Sequence, residues 1–538
     1  MHSLISLVVL LLPAFAKAWP RSYPSSGLVS DISLISRYWG QISPYVDNPD
    51  NYFSVQDVGL PDGCQVEQAH SLQRHSNRFP TAFFDDGDND VNFGQKIANW
   101  TSVHPQERFT GPLDFLNSWH YILGSGLLTG LGASAEFQAG VAFWNRYGRT
   151  LYNASVAQLA YNASFANGTA RPKPVLRTTS QSRIENSQIN WALGFFGPSF
   201  QIVPNPTLAN FTSTFDVVII PEGGTENNTL ASYDSCFNDN LNPIGILGDL
   251  DLETYLPIYL KDATARMQQY APAGFIFNVN DTYAMQSICA YEMGYIGSSS
   301  FCSLFTLEEW DGFENTLDME YYNDYAWGNP TGRAQGIGYL QELLARLQNE
   351  YIPVSNSSVN STLTNNAASF PLGRPFYADF THDDIIISVL TAMSLDYLRD
   401  PPSLTAFPPD PHRKFILSHL TPFTGRLITE VIGCSSSNPA PRHSARTQYS
   451  PSQYGYSPAN APNKFVRMRL NNGILPLATI RGGECAGRSD GMCAISSFIK
   501  SQQNAYALSQ YNYACFANYT IAKPTNGQDY DGTIAPSS

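Results

Sequence analysis

Cys64-Gln-Val-Glu-Gln-Ala-His-Ser-Leu-Gln-Arg-His-Ser-Asn-Arg-Phe-Pro80 decides the fold. Its first ten residues alternate loosely between apolar and polar types, which predicts a half-buried strand running into Arg74 and His75. A histidine between two arginines at a strand end is built to attack phosphorus. Guanidinium forks stay charged and match phosphoryl oxygens two at a time, and the imidazole supplies the nucleophile. Open α/β sheets place ligands where strands end and loops begin, so the heptapeptide 74–80 predicts both a phosphate site and the sheet that carries it.

The chain contains its own control. Arg442-His-Ser-Ala-Arg446 repeats the spacing, but it lies in a Ser/Pro/Asn-rich tract, 435–464, without hydrophobic periodicity or a flanking strand. That copy reads as a solvated loop.

Context for the first copy comes from Phe376-Tyr-Ala-Asp-Phe-Thr-His-Asp-Asp384 and the apolar run Ile385-Ile-Ile-Ser-Val-Leu-Thr-Ala-Met393. A short strand should run into His382 and Asp383, with a helix starting just after them, so that both side chains stand by a positive helix end. The two segments together hold a nucleophile, two arginines, a second histidine and a carboxylic acid. These are the parts needed to cleave a phosphomonoester through a phosphohistidine.

On these residues the chain resembles the histidine acid phosphatases, and most closely their fungal phytase branch. Further matching stretches are Tyr38-Trp-Gly-Gln-Ile-Ser-Pro44, Leu176-Arg-Thr-Thr-Ser-Gln-Ser-Arg183, Phe301-Cys-Ser-Leu-Phe-Thr-Leu-Glu-Glu-Trp310 and Gly328-Asn-Pro-Thr-Gly-Arg-Ala-Gln-Gly-Ile-Gly-Tyr339. The resemblance implies that His75 is the nucleophile, that Arg74, Arg78, Arg177 and His382 hold the phosphate, and that Asp383 protonates the leaving alcohol. Arg183 reads as structural. No metal or other cofactor is expected. The implied disulfides join Cys64 to Cys434, Cys236 to Cys515, Cys289 to Cys302, and Cys485 to Cys493. Eight cysteines in an exported chain by themselves imply four disulfides but leave the pairing open, and their spacing offers no CxxC or CxxH zinc pattern.

Composition points to export. Residues 3–15 form an apolar stretch too short to span a bilayer, followed by Ala16-Lys17-Ala18, which reads as a cleavage site; 1–18 is therefore expected to be a signal peptide. Ten sequons, at Asn99, Asn153, Asn162, Asn167, Asn210, Asn227, Asn280, Asn356, Asn360 and Asn518, fit a glycosylated secreted protein. Charged residues are only 14% of the chain against roughly 25% in ordinary soluble proteins, so sugars would carry part of the solubility. A formal net charge of −14 disfavours nucleic acid as a partner, and no later segment reads as a membrane helix. The expected partner is a small phosphomonoester.

Length and pattern predict two lobes. Strand-like segments at 66–72, 215–220, 376–380 and 465–470, with a turn at Asn471-Asn472-Gly473 and a return through 474–477, predict an α/β sheet domain, and the resemblance implies that it is the mixed sheet flanked by helices of the phosphoglycerate-mutase-like histidine phosphatase core. Residues 19–85, 172–235 and 351–538 are assigned to it, and 86–171 with 236–350 to a mostly α-helical lobe. Ile337, Leu340, Leu344 and Leu347 at helical spacing read as core.

Two departures from the family pattern stand out. Ser76 replaces the glycine that follows the family's histidine. Asp85, Asp86, Asp88, Asp90, Asp318 and Glu320 stand where phytases carry lysines, and they predict an acidic mouth that would repel a polyanion. The reading is therefore a phosphatase with phytate as a candidate substrate. Alternatives are a broad-specificity acid phosphatase, a mutase-like transferase, and a catalytically silent phosphate-binding glycoprotein.

Overall fold

The computed structural model describes residues 27–81, 86–155, 157–197, 214–445, 456–521 and 527–536. The expected signal peptide and the sequon at Asn210 lie outside them. Eight strands form one mixed sheet: β1 (Cys64–Arg74), β2 (Val175–Thr179), β3 (Asp216–Ile220), β4 (Phe376–Thr381), β5 (Arg426–Cys434), β6 (Asn463–Leu470), β7 (Gly473–Ile474) and β8 (Cys493–Ala494). The order is β3-β2-β4-β1-β5-β6-β7, with β8 on β6. Strands β3, β2, β4 and β1 run parallel, and β5, β6 and β7 turn antiparallel.

The strand that opens the sequence argument is the centre of this sheet, between β4 and β5. It was expected to be half-buried. Both of its faces are covered, and only Glu67 and Gln68 along it are even partly exposed. The neighbour β5 gave no sequence signal, because Thr429, Glu430 and Gly433 interrupt its apolar run; Glu430 is nevertheless buried, neutralised by Arg467 and Arg469. The Cys64–Cys434 disulfide joins residues directly opposite in β1 and β5, and the other three expected pairs form as well.

Among the described residues eight helices have ten or more residues: α1 (Asp88–Val103), α2 (Gly130–Phe143), α3 (Ser182–Phe196), α4 (Leu247–Tyr259), α5 (Val279–Ile296), α6 (Leu307–Tyr325), α7 (Gly332–Gln348) and α8 (Asp383–Ala392). Helices α2 and α3 cover one face of the sheet, where Phe143, Trp191 and Phe195 pack on Phe376. The two helices touch through glycines. A Cβ on Gly140 would lie 2.0 Å from the Trp191 carbonyl oxygen, and one on Gly194 2.0 Å from that of Phe137. Helices α7 and α8 pack together against the opposite face, with Ile337 and Leu340 fully buried as expected. The sequence assigns residues of α2 and α7 to the helical lobe, whereas Phe143 of α2 packs on Phe376 of the sheet and Glu342 and Arg346 of α7 pair with Arg177 and Asp379 of its strands. The lobe itself is built from α1, α4, α5 and α6, and its core runs without a break into Leu72, Leu427 and Met468 of the sheet.

Candidate active site

Strands β1 and β4 end side by side. The His75 backbone N–H donates to Thr381 O at 3.1 Å, so the ladder carries on one residue past Arg74 and brings His75 level with His382. On the other side the Arg74 N–H donates to Gly425 O, and the Thr424 N–H donates to His75 O. The nucleophile candidate is thus held by backbone from both neighbouring strands. Its ring is edge-on to that of His382, with centroids 5.8 Å apart.

His75 Nδ1 lies 2.9 Å from the carbonyl oxygen of Ser76. A carbonyl can only accept, so Nδ1 carries the proton and the lone pair is on Nε2. Burial drives the pKa of His75 well below 6.5, and Arg74, Arg183, Arg78 and His382 push it further in the same direction. The imidazole therefore stays neutral and nucleophilic in acid.

Arg74 is fully buried at the strand end. Its guanidinium lies over the Phe423 ring, donates to Gln41 O and Thr421 O, and meets Asp383 Oδ2 at 2.6 Å. Arg78 pairs with Asp86 at 2.7 Å and donates to the Tyr291 hydroxyl. Asp383 is the first residue of α8, with His382 as its extended N-cap, as the sequence predicts. Tyr321 donates to Asp383 Oδ2 at 2.7 Å. Burial alone would raise the pKa of Asp383, but Arg74, Arg78 and the Tyr321 hydrogen bond hold it below the usual carboxylate range. With no substrate present the carboxyl is ionised.

Three residues that sequence reasoning missed complete the frame: Tyr321, Glu222 and Tyr233. Glu222 follows β3, and its carboxylate meets His382 Nε2 at 3.0 Å, with the Tyr233 hydroxyl 3.0 Å from the same nitrogen. Glu222 is held at about 2, because its contacts with His382, Thr179 and Tyr233 outweigh its burial. Their only sequence signal was position, since Glu222 stands just beyond a predicted strand end.

The structure separates the two arginines of the 176–183 stretch. Arg177, expected to hold phosphate, lies mid-strand in β2, where it donates to Asp379 and to Glu342, both at 2.7 Å. Arg346 completes this buried network at 2.6 Å from Asp379. Arg177 is a structural ion-pair partner, and the reason is strand alternation: in β4, Asp379 faces Tyr339 and Arg346 of α7 while the next residue, Phe380, faces Trp191 of α3. Arg183, expected to be structural, sits in the first turn of α3 and is among the cations that act most strongly on His75. Among the described residues the Nε atoms of Arg74, Arg78 and Arg183 are buried with no hydrogen-bond partner. Unpartnered buried donors converging on a nucleophile fit an absent oxyanion.

The acidic mouth is also corrected. Asp318 is fully buried in α6, where it pairs with Arg413 and accepts from the Leu417 N–H. Glu320 is buried in the same helix. Asp90 is buried against Ser287, and Asp86 is neutralised by Arg78. Asp88 alone of the described set is exposed, and Asp85 lies outside the described residues. The acidic run reads as a loop in sequence because nothing local reveals the arginines that reach it from distant segments.

Ser76 fits its position. Its backbone is not in the left-handed region, and its hydroxyl donates to Asn77 Oδ1 and accepts from Thr424 Oγ1 at 2.7 Å. Thr424 itself has φ of 63°, a costly conformation for a β-branched residue, and the Ser76 bond helps to hold it.

A buried histidine framed by arginines thus stands at the carboxyl edge of a mixed α/β sheet. Residues 65–458 match the family model of the histidine phosphatase superfamily (branch 2), and the chain belongs to that family; it is a phosphoric monoester hydrolase. It is 27% identical to Phytase A of Aspergillus fumigatus over 86% of this chain and 87% of the relative, and 29% identical to Phytase A of Aspergillus oryzae over 75% and 80%. Among solved structures, the phytase of D. castellii superposes with a TM-score of 0.64 at 20% identity, covering 94% of this chain and 93% of that one. The Bifidobacterium longum multiple inositol polyphosphate phosphatase, solved with inositol hexasulfate, gives 0.51 at 13% identity, covering 86% and 96%.

Proposed function

We propose that this enzyme cleaves phosphomonoesters by two in-line displacements on His75, and that myo-inositol hexakisphosphate is among its substrates. The observation that carries the reading is the His75 Nδ1 contact with Ser76 O, which leaves Nε2 as the nucleophile among Arg74, Arg78, Arg183 and His382. In the first step Nε2 attacks phosphorus and the phosphoryl oxygens take up the unpartnered arginine donors. The departing alkoxide takes a proton from Asp383. In the second step water attacks the phosphohistidine and returns a proton to the Asp383 carboxylate, releasing orthophosphate.

The substrate itself supplies the switch that Asp383 needs. In the empty site Arg74 and Arg78 keep that carboxyl ionised. An arriving phosphate competes for those guanidiniums and places negative charge beside Asp383, and both effects raise its pKa. An ester bound as its monoanion brings the proton along, so acid favours the productive state.

Phytate as a substrate is supported by the relatives named Phytase A and by the loss of the acidic-mouth objection, since Asp318 and Glu320 are buried. Export is supported by the apolar segment 3–15, the four disulfides, and exposed sequon asparagines at Asn99, Asn153, Asn162, Asn167, Asn356 and Asn518. No helix among the described residues is long and apolar enough to cross a membrane.

The test is phosphate release from an aryl phosphate and from phytate, side by side across the acidic range, with acid-quench trapping of labelled phosphate. Label on His75 and turnover of both substrates is the expected result. Label on another residue would overturn the mechanism, and turnover of the aryl ester alone would overturn the substrate.

A further inference from the structure

The sheet face opposite Asp383 carries a second basic chamber. A cavity of about 610 Å³ opens between β5, β6 and the π-helical turn Trp144–Gly148 that follows α2. Its walls hold five arginines, Arg146, Arg149, Arg426, Arg467 and Arg469, against Asp47, Asp50 and Glu430, so the chamber is net cationic. None of its lining residues belongs to the site around His75.

Most of the charge is accounted for locally. Glu430 binds Arg467 Nε at 2.7 Å and Arg469 Nε at 3.0 Å, and Asp50 takes Arg469 Nη1. Three donors are left over. Among the described residues Arg467 Nη1, Arg426 Nη1 and Arg149 Nε are buried without a hydrogen-bond partner, the first two on residues only 2% and 9% exposed. The nearest carboxylate to Arg426 is Asp47, at 3.9 Å, and its guanidinium stacks on Tyr45. Arg146, on the π-helical turn, is exposed at the rim. Buried guanidinium nitrogens lining a cavity are stable only if something accepts their protons.

We propose that this chamber is a second anion site, for orthophosphate or a small phosphorylated molecule, held by Arg426 and Arg467 with Arg146 at the entrance. A phosphate matches the demand: several acceptor oxygens, two negative charges near neutral pH, and a size that leaves room for an attached group. The chamber also touches the catalytic frame through backbone. Arg426 follows Gly425, whose carbonyl accepts the Arg74 N–H, and it pairs in register with Gln73. An anion drawn to Arg426 therefore pulls on the strand that positions the nucleophile.

Equilibrium dialysis of the whole protein against labelled inorganic phosphate should find two sites per chain. In the variant Arg146→Ala with Arg426→Gln, one site should remain, the affinity of the other falling roughly tenfold or more. Arg467→Gln with Glu430→Gln removes a charge pair together and leaves the buried Arg469 paired with Asp50, so it tests the chamber if the first variant folds poorly. Competition by inositol hexasulfate at the second site would assign a polyanionic ring as the ligand, and its failure would assign orthophosphate. One site in the wild type, or two in both variants, overturns the proposal.

Discussion

Arg74-His-Ser-Asn-Arg78 and Arg442-His-Ser-Ala-Arg446 differ by one letter and share nothing else. His75 is 1% exposed at the end of a central strand, its backbone bonded to both neighbouring strands. The His443 side chain is 86% exposed, and Arg442 pairs backbone with Gly59 in an isolated bridge outside the strands of the sheet; Arg446 lies outside the described residues. The first copy is the one suited to chemistry, because burial strips water from the imidazole and concentrates the arginine field on it. At the second, solvent screens the same charges.

The sharpest break of this comparison is a pair of substitutions. His75→Ala should lower kcat roughly 10³-fold or more while leaving the fold intact, and His443→Ala should leave kcat unchanged. Steady-state kinetics on both variants, with circular dichroism as the folding check, decide it.

Asp383→Asn comes next. It should slow esters of alcohols, which need a proton on the leaving group, by about 10²–10⁴-fold, and slow aryl esters far less. Equal losses on both substrates would make Asp383 an orienting group for Arg74 instead of an acid.

Arg183 and Arg177 extend the same lesson to a pair six residues apart. Arg183→Gln should cost about 10²-fold in kcat/KM with little change in stability, as loss of one charge-stabilising donor does. Arg177→Ala should instead destabilise the chain by about 3–5 kcal/mol, because Asp379 and Glu342 lose their partner in a buried network. The pH dependence follows in sign. Asp379 is buried, yet Arg177 and Arg346 hold its pKa far below 3.8. The stability it contributes is present above the ordinary carboxylate range and is lost as pH falls through the depressed native value. Unfolding by denaturant between neutral pH and strong acid should show that fall in the wild type, and a shallower one in Arg177→Ala.

The smallest effect expected is at Ser76. Ser76→Gly restores the family's residue but removes the bond to Thr424, so stability should drop by about 1 kcal/mol with kcat nearly unchanged. A large loss of kcat in that variant would make the Ser76–Thr424 bond part of the catalytic frame.

Sequence by itself determined the elements whose signal is local. The strand into His75, the strand and helix that bracket His382 and Asp383, the stripe of α7 and the turn at 471–473 were legible because periodicity and turn chemistry act over a few residues. The nucleophile and acid candidates were legible for the same reason. Tertiary structure alone decided which arginine faces the nucleophile, because Arg177 and Arg183 differ in which side of β2 and α3 they occupy, and that depends on the register with β4 and α7. It alone placed β5 beside the strand that carries His75, since Thr429, Glu430 and Gly433 interrupt the apolar run of β5. It alone buried Asp318 beside Arg413, which comes from 95 residues away. A charge in sequence looks solvated until the fold supplies its partner, and partners that distant leave no local trace.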